Sequence, residues 1–349
     1  MPTTYAIPNG RTVMDATTYT GTGSALTVTN QAGFKPDLVW AQARSNANGY
    51  GTIEDTIRGV SKPLFSNFSN AEEAYVADFW ITSFNSNGFS VGGQNQTGAS
   101  GWTYVGWQWQ AGQNTTTTNT TGTITSTVSA NVTAGFSVVT YTGNEVQGAT
   151  VGHGLGVAPS FILIKDRTSA QNWVGWQTTL GASNFLQLNA NSAQSSSAPM
   201  FNGVAPSSTV ITLAGGSQSD RYAVNKNSDN YVAYCWAAVV GFSAFGSYTG
   251  NGSSEGPFIY TGFRPKLLLY KRTDSAGSWF LVDSSRNPYN TANYWLQANT
   301  ADAEQTDGAI DILSNGYKIR GTGTGTNANG GTYVYCAWAE NPFKYANAR

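Results

Sequence analysis

A chain of 349 residues, 40% hydrophobic and 13% aromatic, has ample material for a layered core. Only 11% of it is charged and the net charge is −1, which excludes a basic field for holding nucleic acid or an anionic membrane. No apolar run approaches the ~20 residues of a membrane helix. The N-terminal MPTTYAIPNGRTV lacks the apolar stretch of a signal peptide, so synthesis in the cytoplasm without export by a classical signal is expected.

Residues 1–14 read as a short, poorly committed arm. A first unit, 15–112, starts at Tyr19-Thr-Gly, and the same start recurs at Tyr141-Thr-Gly and Tyr248-Thr-Gly. Each unit then carries one phrase: GFKPDLVWAQAR at 33–44, GVAPSFILIKDR at 156–167 and GFRPKLLLYKR at 262–272. Gly-x-x-Pro punctuates the entrance, and the apolar run behind it has the length of one strand. Proline at that entrance costs no ladder hydrogen bond.

A second aromatic strand follows in each unit, within NANGYGTIEDTIRG, TSAQNWVGWQTTLG and TDSAGSWFLVDSSRN. Next comes a Leu-x-x-Asn phrase: Leu64 with Asn67, Leu186 with Asn189, Leu296 with Asn299. The only candidate helix is NAEEAYVADFW at 70–80, capped by Asn70 with acidic residues in its first turn. Asn87-Gly88 and Asn315-Gly316 each predict a type I′ hairpin, because that turn needs positive φ at both residues. The middle unit has LAGGSQSDRYAVN there, read as a longer loop. Each unit closes on TYVGWQW, NYVAYCW or TYVYCAW, which end on Trp109, Trp236 and Trp338 and suit strands buried on both faces.

The threonine-rich stretch 113–134 reads as a solvated linker, with an extended arm that adds a strand to a neighbour as the alternative. Units two and three, 135–245 and 246–349, have no spacer between them. The whole predicts an all-β chain of three related β-sandwich or jelly-roll-like repeats in tandem with little helix.

Candidates for chemistry are sparse. Cys235 and Cys336 lie in apolar strands and read as buried free thiols. His153, alone and flanked by glycines, reads as a turn residue. No spacing points to a metal site or a cofactor, and Gly321-Thr-Gly-Thr-Gly-Thr lacks the ending of a phosphate loop. Glycoside hydrolysis needs only two carboxylates, and Glu54-Asp55, Glu72-Glu73 and the set Asp302, Glu304, Asp307 and Asp311 offer them. No such pair recurs through the repeats, so no catalytic residue is assigned.

Arg44, Arg167 and Arg272 end the shared phrase in all three units. One reading is a bidentate fork for a carboxylate or acidic sugar. The other is a strand-end arginine closing onto a carbonyl or a carboxylate such as Asp166 or Asp274. Trp173, Trp176 and Trp279, with Tyr294 and Trp295, stand among Ser, Asn and Gln, a setting for stacking a sugar ring. The same rings equally suit a core or a subunit interface.

The phrases TVGHGLGVAPSFILIKDR, GSYTGNGSSEGPFIYTGFRPKLLLYKRTDSAGSWF, SRNPYN and AWAENPFK resemble a repeat family of tailed bacteriophages, common among phages of marine bacteria and often labelled tail fibre-like. The resemblance runs from Tyr19 to Lys344. It implies a non-enzymatic virion protein, a tail appendage that contacts host-surface glycans. A capsid decoration or head-fibre protein and a polysaccharide-degrading tail spike are the alternatives. Expected partners are other virion proteins and further copies of the chain as a homo-trimer, with no nucleic acid and no membrane insertion. Phage fibres commonly begin with an anchoring domain, whereas here the first repeat starts almost at once, an expectation that puts a stand-alone long fibre in doubt and leaves a short tail appendage, an adaptor or a head-decorating protein.

Overall fold

The computed structural model describes residues 4–72, 79–197, 199–216 and 221–342. The expected helix at 70–80 falls largely outside them. Among the described residues no helix is long and apolar enough to cross a membrane.

The chain is all β. Three antiparallel sheets share one strand order: opening strand, closing strand, central strand, second strand, Leu strand. In unit one these are Met14–Thr20, Thr103–Trp109, Leu38–Ala43, Thr52–Asp55 and Leu64–Phe65. In unit two they are Phe136–Thr142, Asn230–Trp236, Phe161–Asp166, Val174–Gln177 and Leu186–Gln187. In unit three they are Ser243–Thr249, Thr332–Pro342, Phe263–Arg272, Trp279–Asp283 and Leu296–Gln297. The repeated Gly-x-x-Pro phrase leads into the central strand each time. A smaller sheet covers one face of each large one, for example Leu26–Thr29, Gly88–Val91 and Ile81–Asn85 in unit one.

Alternation along the central strand explains why it is apolar throughout. Side chains on a strand point to opposite faces in turn. Val39 and Ala41 pack under the small sheet with Val28, Ile81, Phe89 and Val91. Leu38 and Trp40 face the other way, into a core shared by all three units. In unit two, Ile162 and Ile164 fill the local core, and Phe161 and Leu163 enter the shared one.

The shared core centres on the three closing-strand tryptophans; the third strand runs on past Trp338 to Pro342. Trp109, Trp236 and Trp338 meet pairwise with ring centroids 5.8, 5.4 and 5.8 Å apart and interplanar angles of 67°, 72° and 66°. The near-equal distances make an approximate threefold arrangement. None of the three indole N–H groups has a hydrogen-bond partner among the described residues. Edge-to-face packing is the geometry that lets such an N–H meet a π face.

Each opening-strand tyrosine stacks on the closing-strand tyrosine in register with it: Tyr19 on Tyr104, Tyr141 on Tyr231, Tyr248 on Tyr333, at 5.1, 5.0 and 4.7 Å. All six hydroxyls donate to backbone carbonyls of the loop that precedes the closing strand. The tyrosine pair therefore fixes that loop.

Four expectations need correction. Residues 113–134 are no free linker: Thr117–Asn119 and Ser126–Asn131 pair with each other and onto Phe136–Thr142, widening the sheet of unit two to seven strands. Threonine and valine are good strand residues, and Val128 is buried there. The N-terminal arm is docked, with Ile7 buried, Asn9 capping the single 3-10 turn Gly10–Thr12, and Arg11 paired with Glu340. The boundary at 245/246 cuts the strand Ser243–Thr249. The two hairpins exist but turn one residue earlier, on Ser86-Asn87 and Ser314-Asn315. None of those four residues has positive φ. Gly88 and Gly316 instead admit a third strand: a Cβ on them would lie 2.0 Å from the Val28 carbonyl oxygen and 2.1 Å from that of Ile259.

Since one core serves three units, unfolding should be a single cooperative transition. Trp338→Ala should lower stability by about 3–5 kcal/mol without splitting the urea melt. Separate transitions followed by fluorescence and circular dichroism would contradict a shared core.

Candidate functional site

The sequence candidates converge on the seams between units. At one repeat-matched position a side chain donates across each seam. Gln42 donates to the Gln297 carbonyl at 3.0 Å, Lys165 to that of Ser69 at 3.1 Å, and Lys271 to that of Asn191 at 3.2 Å. Unit one thus leans on unit three, unit three on unit two, and unit two on unit one, which closes a ring.

Two of the repeated arginines lock this ring. Arg44 forks onto Glu304 of unit three and Arg167 onto Glu72 of unit one, at 2.7 and 2.8 Å. Each acid also receives a buried arginine of its own unit, Arg286 at 2.9 Å and Arg58 at 2.7 Å. Those arginines pair in turn with Asp283 and Asp55, which end the second strands. Each of these two seams therefore holds two acids and two arginines. Burial pushes the Glu72 carboxyl up, but the hydrogen bonds from Arg167 and the charge of Arg58 outweigh it and hold it below its usual range. Burial likewise opposes ionisation of Asp283, and Arg286 overcomes it. The closing strands complete the seams: Tyr234 donates to Asp55 at 2.8 Å and the Trp107 indole to Asp283 at 3.1 Å.

The third seam is built differently. Gln177 stands where Asp55 and Asp283 stand, and its amide donates to the Gly246 carbonyl across the seam. Arg272 turns to Asp274 of its own unit, near the surface. The carboxylate-closing reading thus describes all three arginines. Arg44 and Arg167 have their forks occupied and present none to a ligand.

The tryptophan candidates are corrected too. Trp173, Trp176 and Trp279 are 0%, 3% and 1% exposed, so no ring face is free for a sugar. The Trp173 indole donates to the Phe65 carbonyl and that of Trp279 to the Gln187 carbonyl, both across seams at 2.8 Å. Asn189 and Asn299 of the Leu-x-x-Asn phrase accept their backbone N–H groups. Tyr294 lies under the Arg44 guanidinium, 5.9 Å from its centroid. Tyr294 and Trp295 keep partial exposure.

The remaining candidates are structural. Both nitrogens of buried His153 are engaged, with the Ser207 carbonyl and the Leu155 N–H, and burial lowers its pKa. Cys235 and Cys336 are free and buried, and burial pushes the Cys235 thiol up to about 12. Glu54 and Asp55 do not act as a pair. Asp55 serves Arg58, while Glu54 accepts the N–H groups of Lys62 and Ile81, with burial pushing its carboxyl up to about 7.

What sequence reasoning missed is a set of three open clefts, one per unit, each between the outer strands of the large sheet and the loop held by the tyrosine pair. Their volumes are about 520, 330 and 430 Å³ in units one, two and three. Unit one's cleft is bordered by Tyr50, Phe68 and Gln94–Gln96, unit two's by Asn172, Gln187 and serines, unit three's by Phe280, Trp295 and the loop 321–326. The tyrosines were legible as repeats, but their contact with a distant loop was not.

The family model of a domain of unknown function, DUF7483, matches residues 10–342. The chain belongs to that family. Among curated proteins no sequence matches it.

In this DUF7483 chain, Glu304→Ala would leave buried Arg286 without one of its acids and free Arg44, so a loss of about 3–5 kcal/mol is expected by urea denaturation. Arg272→Ala, at an exposed pair, should stay within about 1 kcal/mol of wild type. Equal losses would refute the distinction between seams.

The seam lysines carry a pH signature. Burial lowers Lys165 and Lys271 from 10.5 to about 8. Between those values the unfolded chain holds more protons than the folded one, so these groups make stability rise with pH from about 8 to 10.5. The double variant Lys165→Gln/Lys271→Gln, which copies Gln42, should fold and lose that rise. An unchanged pH dependence of the melting temperature would count against it.

Proposed function

We propose that this protein is a non-enzymatic structural component of a tailed-phage virion, a tail appendage that contacts glycans on the host surface. The observation that carries the reading is where the repeated residues go. The matched arginines, tryptophans and tyrosines are spent on closing a ring and holding its loops, which preserves shape. The three clefts between those loops and the sheets differ in lining from unit to unit. A rigid frame with variable outer clefts fits a binding role better than a catalytic one. The family resemblance of the long phrases supplies the virion context, and the weakly charged, amide- and hydroxyl-rich composition suits a part packed against neighbours.

The homo-trimer belongs to the same proposal. The closed ring favours a second reading of the assembly, a monomer whose three units stand in for three subunits. Light scattering of the purified chain separates the two.

Immunogold labelling of purified particles tests the assignment. Label at the tail in low copy number is the expected result. Dense label over the head would replace the appendage with a decoration protein, and absence from particles would overturn the virion reading altogether.

A further inference from the structure

The cleft of unit three contains an unmet hydrogen-bonding group. Tyr270 lines it and is 2% exposed, yet its hydroxyl has no partner among the described residues. The six paired tyrosines all donate to carbonyls; Tyr270 stands outside those pairs and its hydroxyl is aimed at no carbonyl of the described residues. Its oxygen is not sealed from solvent, so it opens on the cleft, where water or a ligand pairs it. Units one and two place Ala41 and Ile164 at the matching position, five residues beyond the phrase proline. The hydroxyl is therefore particular to this cleft and is dispensable for the fold.

The surroundings define what would meet it. Phe280 stacks on Tyr270 at 5.3 Å and meets Trp295 edge to face at 5.1 Å. Ile310 extends this apolar wall. Trp295 is partly exposed and is fixed by its indole N–H, which donates to Asp307 Oδ1 at 2.9 Å. Asp307 is exposed, and its second oxygen has no partner among the described residues. The opposite lip is the loop 321–326, the Gly-Thr run that is no phosphate loop. Among the described residues no lysine, arginine or histidine lines the cleft. The volume of about 430 Å³ lies within the range of small-molecule sites.

We infer that this cleft is a binding site for a neutral pyranose. The apolar face of the sugar ring lies against Trp295 and Phe280, and sugar hydroxyls pair with the Tyr270 hydroxyl and the free oxygen of Asp307. An acidic sugar is disfavoured, because Asp307 repels it and no cation stands by. The inference rests on the reading of the protein as a glycan-contacting appendage and gives that reading a location.

The test is calorimetric titration of the full chain with glucose, galactose, mannose, N-acetylglucosamine and their disaccharides, with choline as a cationic control. Adhesion to host cells is measured in parallel. At least one neutral saccharide should bind. Tyr270→Phe should weaken it about three- to tenfold with an unchanged melting temperature, and Trp295→Ala about tenfold or more. Equal affinity in both variants, binding of choline alone, or no binding by the wild type would overturn the site. If cells are still bound in those cases, glycan contact survives elsewhere on the surface. If cells are not bound either, the appendage reading falls with it.

Discussion

Everything in this fold depends on three indole rings meeting at one point. Trp109 and Trp236 end the closing strands of two sheets and Trp338 lies within that of the third, far apart in sequence, and each ring touches the other two. Edge-to-face pairs contribute about 1 kcal/mol each beyond the area they bury. Their larger effect is geometric. A sheet whose closing strand must reach the common point has its central strand placed beside it, and its second strand is thereby brought to the next unit. The apolar character of both faces of the central strand follows, since one face packs under the small sheet and the other on the shared core.

The seams around this centre show how polar groups tolerate burial. Two seams contain two arginines and two carboxylates each, and every one of these has an opposite partner within the seam. Such networks add less net stability than their count implies, because desolvation offsets attraction. What they impose is register, since a displaced seam would leave charges buried and unpaired. The third seam achieves a similar fit with neutral amides and the Lys271 ammonium. The three junctions thus share backbone geometry while differing in chemistry, which also distinguishes one seam from another during folding.

Between the seams the tyrosine pairs clamp the loops that form one lip of each cleft. Rigid loops over a rigid sheet favour recognition, because little ordering remains to oppose binding. The clefts carry the freedom that the frame lacks. The three linings have diverged where the frame has not, even though Tyr270, Phe280 and Ile310 of unit three's cleft also belong to the shared core.

Much of this was legible in the chain itself. The Gly-x-x-Pro phrases, the Tyr-Val strands and the closing tryptophans marked the strands and their threefold recurrence, because period and punctuation are local properties. Free buried cysteines and a turn histidine followed from their neighbours. The threonine-rich segment was misjudged because composition alone does not distinguish a solvated strand at a sheet edge from a linker. The tryptophan candidates were misjudged because a ring among Ser and Asn in sequence is surrounded by other units in space. Strand identity and repetition were thus decided by the order of residues. Which arginine meets which acid, which indole is covered and where a hydroxyl is left unpaired were decided only by the packing of three units on one axis, since each of those partners comes from a different repeat or a distant loop.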